Sequence, residues 1–215
     1  MRVVVTGAHR GIGLELVRQL LARGDTVDAA CRRPAEASEL RAIGARVHGV
    51  DLASAASVAV FAQGLDGAAI DWVINNAGEP GDPQRPEELG YEAAMRTFET
   101  LALGAARISQ AFAPHLRRGT GKKLAHVSAS VASIGATRPG DLAYRMSRTA
   151  LHMIAKSIAA ELHADQIVSI VVHPWARTEA GAPIGAAEAA RAVLLQIDAA
   201  SFVDSGAFID LGAER

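Results

Sequence analysis

Short apolar runs alternate with longer amphipathic stretches along the chain. Runs rich in Val, Ile and Ala predict strands that are buried on both faces, which is typical of parallel sheets. The predicted strands are residues 2–6, 26–31, 46–50, 71–75, 123–127, 167–173 and 207–211. Apolar residues spaced three and four apart predict helices at residues 12–23, 35–42, 54–63, 88–116, 142–163 and 186–197.

The alternation of strands and helices predicts the architecture. Successive βαβ units form a parallel sheet with helices on both faces, and right-handed crossovers favour a doubly wound arrangement. We therefore expect an α/β protein of the Rossmann type with about seven strands. A chain of 215 residues fits one such domain, and no linker or repeat divides it, so residues 1–215 are expected to fold as a single domain.

Composition excludes several classes of function. The net charge of −1 gives no expectation of a nucleic-acid or membrane-surface partner. No apolar run is long enough for a bilayer span, and the first apolar run stops at Gly7, unlike a signal peptide. The single cysteine, Cys31, fits a reducing compartment, and we expect a cytoplasmic protein. No cluster of His and Cys predicts a metal site.

A glycine-rich turn joins the first predicted strand to the first predicted helix. It reads Thr6-Gly7-Ala8-His9-Arg10-Gly11-Ile12-Gly13. Glycines permit a tight turn and let the backbone approach a diphosphate, and the helix that follows directs its free amides at the anion. The turn therefore predicts a dinucleotide site that includes Gly7, His9, Arg10 and residues 11–13; a turn that serves packing alone is the alternative.

The spacing Gly-x-x-x-Gly-x-Gly resembles that of the short-chain dehydrogenase/reductase family. Three further motifs follow in order. Asp51-Leu52 follows the third strand, Asn75-Asn76-Ala77-Gly78 ends the fourth, and Tyr144-Arg-Met-Ser-Arg148 opens a long helix where the family has Tyr-x-x-x-Lys. The likeness extends over essentially the whole chain and is greatest to the small, carbonyl-reductase-like or C-factor-like branch.

The resemblance implies the remaining cofactor contacts. Asp51 and Leu52 would meet the adenine, and the segment Asn76, Ala77 and Gly78 would line the cleft. Tyr144 and Arg148 would hold the nicotinamide ribose, with Pro174 and Thr178 on the nicotinamide side. Family members often assemble through their two long helices, which implies a homodimer or homotetramer, although the small branch also includes monomers.

The end of the second strand predicts the type of dinucleotide. Proteins that bind NAD usually have an acidic residue there, whereas this chain has Cys31-Arg32-Arg33, and Asp28 comes too early in the strand. Arginine suits phosphate geometry, and Arg10 and Arg32 can reach a 2′-phosphate. NADP(H) is therefore favoured over NAD(H), while Arg33 is interpreted as a solvated surface charge.

The resemblance also implies a catalytic group. Tyr144 would be the general acid, because positive charge four residues along the helix stabilises its phenolate. Arg148 stands where the family has lysine, and an arginine does not release a proton. The serine that binds the substrate oxygen is Ser130 in one alignment, which we favour, and Ala129 occupies that position in the other. Leu101 replaces the family's supporting asparagine.

Two functions from different classes follow from these residues. The favoured one is an NADP(H)-dependent oxidoreductase that acts on a carbonyl or alcohol. The alternative is a catalytically impaired dinucleotide-binding protein that serves as a sensor or partner, which the substitutions at 101 and 148 suggest. A Rossmann protein for another nucleotide, such as a nucleotide-sugar, is less favoured than either.

Overall fold

The computed structural model of the chain describes residues 1–78, 86–135, 139–174 and 184–209. Its strands follow the apolar runs of the sequence. They are β1 (Arg2–Thr6), β2 (Thr26–Cys31), β3 (Arg46–Gly49), β4 (Trp72–Asn75), β5 (Lys123–Val127), β6 (Val168–Val172) and β7 (Phe208–Ile209).

The helices lie between these strands. They are α1 (Gly11–Ala22), α2 (Ser38–Ala42), α3 (Ala55–Gln63), α4 (Tyr91–Phe98), α5 (Gly104–Arg118), α6 (Leu142–Glu161) and α7 (Ala186–Ala199). A π-helical turn, Glu99–Leu103, joins α4 to α5. Within the described ranges, no helix is long and apolar enough to cross a membrane.

The seven strands form one parallel sheet in the order β3-β2-β1-β4-β5-β6-β7. The order reverses between β1 and β4, and ligands of doubly wound sheets bind at the carboxyl ends of the strands at such a point. The predicted Rossmann-type fold is confirmed, and its topology locates the cleft beside the glycine turn.

Two apolar layers cover the sheet. Val3 and Val5 pack in the layer that includes the apolar residues of α1 and α7, whereas Val4 packs with α3 and α5. Adjacent residues of a strand point to opposite faces, so a strand that is buried on both sides must be apolar throughout. Trp72, at the start of β4, is buried in the first layer.

Two predicted helices differ from the observed ones, and one predicted strand is described only in part. The π-helical turn interrupts the helix predicted over 88–116. The sequence shows no sign of this interruption, because the apolar pattern continues across a turn that is wider by one residue. The helix predicted over 35–42 is a 3-10 turn, Pro34–Glu36, followed by α2; Ala37 separates them because its backbone (φ −94°, ψ 46°) is not helical. The last two residues of the strand predicted over 207–211 lie outside the described residues.

Candidate active site

The glycine turn folds tightly against the end of β4. Gly7 and Gly11 have φ of 65° and 55°, which glycine adopts without steric cost. A Cβ on Gly7 would lie 2.6 Å from the Cα of Ala77, and one on Gly13 would lie 2.2 Å from the carbonyl oxygen of Gly7. Gly7 and Gly13 are thus required by close packing, while a Cβ on Gly11 would project into open space.

The first turn of α1 is suited to an anion. Arg10, its N-cap residue, is extended and makes no capping hydrogen bond with its side chain, and the first turn carries no acidic residue. The amides at the start of a helix that is not capped in this way are available to an external acceptor. His9 and Arg10 are exposed beside them. These residues fit a dinucleotide diphosphate.

Asn76 connects the loop after β4 to the glycine turn. Its Nδ2 donates to the carbonyl oxygens of Thr6 and Gly7, each at 3.2 Å. The amides of Asn76 and Ala77 donate to Thr6 Oγ1 at 3.2 and 3.3 Å. The side chain of Asn76 is therefore engaged inside the protein, where it holds the two sides of the cleft in register.

The predicted adenine end is formed by the loop after β3. Asp51 is exposed, and its Oδ1 accepts a hydrogen bond from the amide of Ala53 at 3.0 Å. Leu52 is buried. At the end of β2, Arg32 and Arg33 are exposed, and Arg33 forms an ion pair with Glu36 at 3.1 Å. Arg32 is thus placed on the same edge of the sheet as the loop after β3.

The side chain of Asp28 is buried and is engaged in contacts within the protein. Its carboxylate is fully buried and forms ion pairs with Arg2 (2.8 Å) and His48 (2.9 Å). Burial acts to raise the pKa of Asp28, but the hydrogen bonds and charges of His48 and Arg2 outweigh it and leave the pKa lowered. These contacts explain why Asp28 is not the acid that accepts from a ribose.

Tyr144 and Arg148 lie on successive turns of α6. Asp141 caps this helix, with Oδ1 accepting from the Tyr144 amide at 2.9 Å. The guanidinium carbon of Arg148 lies 5.1 Å from the centroid of the Tyr144 ring. Tyr144 is half-buried, while Arg148 is only 3% exposed and donates from Nη1 to the carbonyl of Val127 at 2.9 Å. The charge of Arg148 is therefore held in place beside the phenol.

Gly78 is the point where Arg148 and Leu101 converge. A Cβ on Gly78 would lie 2.3 Å from Arg148 Nη2 and 2.6 Å from Leu101 Cδ2. Leu101 is buried and comes from the π-helical turn, and such turns are frequent at functional sites. Arg148 Nε has no hydrogen-bond partner among the described residues. An apolar side chain therefore lies beside the Arg148 guanidinium, at the position where the family resemblance implies an asparagine.

The segment after β5 contains Ser128 and the two candidate positions, Ala129 and Ser130. Ser128 is buried, and its Oγ lies 2.8 Å from His152 Nε2. Ala129 is extended, and Ser130 begins a 3-10 turn with its side chain exposed. Thr149 on α6 donates to the carbonyl of Ala132 at 2.9 Å and holds this turn against the helix. Ser130 thus presents an exposed hydroxyl, whereas Ser128 is engaged with His152.

His126 and His152 are two neutral histidines near Arg148. The sequence did not indicate that they form a pair. Burial, with a smaller effect of the Arg148 charge, lowers the pKa of His152 to about 4. Burial and the nearby His152 lower the pKa of His126 to about 3. Asn75 Nδ2 lies 3.3 Å from His126 Nδ1, and His152 packs against the Phe208 ring. A polar residue inside an apolar strand was the only sequence signal for His126.

Two predicted contacts remain at the nicotinamide side. Pro174 follows β6 and is half-buried. Thr178 lies outside the described residues. Within the described part of the chain, no group of three His, Cys, Asp or Glu side chains could hold a metal ion.

Comparison with known proteins identifies the family of the chain. The sequence profile of the family described as short chain dehydrogenase matches residues 1–189. The C-signal protein of Myxococcus xanthus is 36% identical over 155 residues, which is 70% of this chain and 93% of that protein. The chain therefore belongs to the short-chain dehydrogenase/reductase family.

Solved structures show the same relationship. The NADPH-bound carbonyl reductase from chicken fatty liver superposes with a TM-score of 0.86 at 26% identity, over 97% of this chain and 95% of that one. The carbonyl reductase Sniffer of D. melanogaster superposes with a TM-score of 0.89 at 24% identity over the same shares, and shows the fold. The predicted resemblance to carbonyl-reductase-like and C-factor-like members is confirmed, and the chain is a carbonyl-reductase-like oxidoreductase of this family.

Proposed function

We propose that the protein is an NADP(H)-dependent oxidoreductase that reduces a carbonyl, or oxidises the corresponding alcohol, with Tyr144 as the general acid. The observation that carries this proposal is the Arg148 guanidinium, held 5.1 Å from the Tyr144 ring and against Gly78. A fixed positive charge beside a phenol stabilises the negative charge that remains when the proton leaves.

The residues of the cleft fit the dinucleotide in order. The amides of Gly11, Ile12 and Gly13 would hold the diphosphate, with Gly7 allowing the turn and His9 beside it. Asp51 and Leu52 would contact the adenine, while Arg10 and Arg32 would bind the 2′-phosphate. The loop of Asn76, Ala77 and Gly78, together with Pro174 and Thr178, would line the nicotinamide half. When bound, the cofactor supplies the hydride.

The protein supplies the proton and the orientation. Tyr144 Oη would donate its proton to the substrate oxygen, and Ser130 Oγ would donate a hydrogen bond to the same atom. Arg148 would stabilise the phenolate and contact the ribose, but a guanidinium cannot pass a proton on. Because Tyr144 is half-buried rather than enclosed, solvent can return its proton directly.

The test is NADPH oxidation with a panel of aldehydes and ketones. We expect measurable turnover for the unaltered protein, a loss of about a hundredfold or more in Tyr144→Phe, and a smaller loss in Ser130→Ala. Met146→Leu, at an exposed position two residues further along α6, serves as the matched control. Unchanged turnover in Tyr144→Phe would contradict the catalytic assignment.

The second candidate is a dinucleotide-binding sensor or partner protein with little turnover. The contact of Leu101 with the Arg148 site favours it, because an apolar side chain cannot support a water relay. This candidate predicts NADPH binding without turnover in the unaltered protein. It also predicts that Leu101→Asn combined with Arg148→Lys gains activity, whereas the first candidate predicts activity before any substitution.

Self-association through α5 and α6 is part of the proposal. An apolar groove of about 390 Å³ lies between these helices and is lined by residues that include Ala106, Ala113, Met153 and Ile158. Met153 is 66% exposed there, and a second copy of the chain would cover it. Sedimentation should show a homodimer or homotetramer that Met153→Asp dissociates; a monomer at high concentration would contradict this.

A further inference from the structure

Arg107 makes three contacts with two separate parts of the cleft. Its Nη1 donates to the carbonyl oxygens of Leu52 and Glu99, each at 3.1 Å. Its Nη2 forms an ion pair with the Glu99 carboxylate. Leu52 belongs to the loop at the proposed adenine end, whereas Glu99 begins the π-helical turn that carries Leu101. One side chain therefore touches both regions.

The π-helical turn receives a donor from outside the helical backbone ladder. Such a turn interrupts the regular i to i+4 pairing of the helix, and carbonyls at the interruption need other partners. Arg107, on the α5 turn that follows, supplies a charged donor to the Glu99 carbonyl. A charged donor forms a stronger hydrogen bond than a neutral one. Arg107 thus stabilises the wide turn rather than a continuous α-helix.

The adenine loop is attached to the same helix. A Cβ on Gly104, the first residue of α5, would lie 2.8 Å from Leu52 Cβ and 3.2 Å from the Leu52 carbonyl oxygen. The loop therefore packs directly on the start of α5, and Arg107 adds a hydrogen bond one turn further along. A change in the π-helical turn would move Gly104, and Leu52 with it.

We infer that Arg107 is a positioning residue for the cofactor cleft, which couples the adenine loop at Leu52 to the π-helical turn that places Leu101 against Gly78. The inference rests on the dinucleotide site proposed above. It extends that site to a residue that is not among its proposed cofactor contacts. An ion pair with Glu99 alone, with side chains 23% and 34% exposed, would contribute little. The two carbonyl contacts are what carry the role.

The test compares four variants. Arg107→Met removes all three contacts and keeps the length of the side chain, and Arg107→Lys keeps a cation that can reach the carbonyls. Glu99→Gln removes the ion pair and keeps both carbonyl contacts. Arg118→Met, on the exposed face of the same helix, is the matched control, since Arg118 makes only 3.4 Å contacts with Ala68.

The first readout is the dissociation constant for NADPH and for adenosine 2′,5′-bisphosphate, which carries only the adenine half. Arg107→Met should weaken both by about tenfold, the effect of losing a charged hydrogen bond. Arg107→Lys and Glu99→Gln should stay within about threefold of the unaltered protein, and Arg118→Met should not differ from it. Equal affinities in Arg107→Met and Arg118→Met would overturn the inference, as would a loss in Glu99→Gln equal to that in Arg107→Met.

The second readout needs no nucleotide. Hydrogen exchange of the amides at residues 51–54 and 99–104 should be faster in Arg107→Met at both segments, and unchanged in Arg118→Met. If the unaltered protein binds neither nucleotide, the proposed function fails. Hydrogen exchange alone then tests whether Arg107 couples the two segments. Faster exchange at both segments supports it, and unchanged exchange at either one overturns it. If Arg107→Met does not fold, Arg107→Gln, whose side chain is too short to reach both carbonyls, takes its place with the same expected results and the same controls.

Discussion

The guanidinium of Arg148 lies against Gly78, so closely that a Cβ on the glycine would come within 2.3 Å of Nη2. One residue comes from α6 and the other from the loop after β4. Arg148 is also bound to the Val127 carbonyl at the end of β5. Three neighbouring elements therefore fix the position of one cation, and the absence of a side chain at residue 78 is part of that arrangement.

Gly78→Ala should disable the site without unfolding the protein. The new methyl group would force Arg148 off the Val127 carbonyl, and residue 78 has a φ of 146° that alanine does not adopt readily. We expect kcat/KM to fall by about tenfold or more and stability by about 1–3 kcal/mol. Gly64→Ala, where a Cβ makes only an ordinary 3.4 Å contact, is the control. Equal kcat/KM in both variants would contradict the role of this contact.

Arg32→Ala should change the preference between the two nicotinamide cofactors. Loss of a charged hydrogen bond to the 2′-phosphate should reduce the preference for NADPH over NADH by about 10- to 100-fold, while NADH binding changes little. Arg33→Ala is the matched control, because Arg33 is paired with Glu36. The measurement is the ratio of dissociation constants, and an unchanged ratio in Arg32→Ala would remove Arg32 from the phosphate site.

The protein should become less stable in acid because three of its histidines have lowered pKa values. Burial lowers the pKa of His126 to about 3 and that of His152 to about 4, and it lowers the pKa of His115 too. Unfolded histidine titrates near 6.5, so the unfolded state binds more protons below that pH and stability falls as pH decreases. Asp28 and Asp71, whose pKa values are also lowered, lose their contributions only below about 3.8.

Urea unfolding at pH 6.5 and pH 5 checks this. His126, which is fully buried, should contribute a loss of about 1.6 kcal/mol over that interval. His126→Asn should therefore show a loss smaller by about that amount, whereas His163→Asn, at an exposed position, should behave as the unaltered protein does. A free energy of unfolding that is the same at both pH values would refute the neutral, buried state of these rings.

The architecture could be predicted because the burial of a segment shows in the apolar residues of that segment itself. Val3, Val4 and Val5 are apolar in succession, and this pattern occurs when both faces of a strand are covered. The glycine turn was also predictable. Gly7 packs against Ala77, which belongs to the recognisable motif after β4, and Gly13 packs against the carbonyl of Gly7 within the turn itself. The doubly wound parallel arrangement followed from the alternation of elements and the handedness of their crossovers, whereas the order of the strands came from the structure.

The details of the site could not be predicted, because they depend on contacts between distant segments. The π-helical turn at 99–103 leaves the apolar pattern intact, so Leu101 gave no local signal of its contact with Gly78. The direction of Arg148 depends on the Val127 carbonyl, 21 residues away. Arg107 was not predicted at all, since its partners Leu52 and Glu99 meet only in the folded chain.

Calorimetric titration with NADPH measures whether the turn from Gly7 to Gly13 holds a dinucleotide. We expect one site per chain, tighter binding of NADPH than of NADH, and binding at least about tenfold weaker in Gly13→Ala, where the methyl group would collide with the Gly7 carbonyl. No binding heat at several temperatures with either nucleotide, for a protein that is folded, would contradict it.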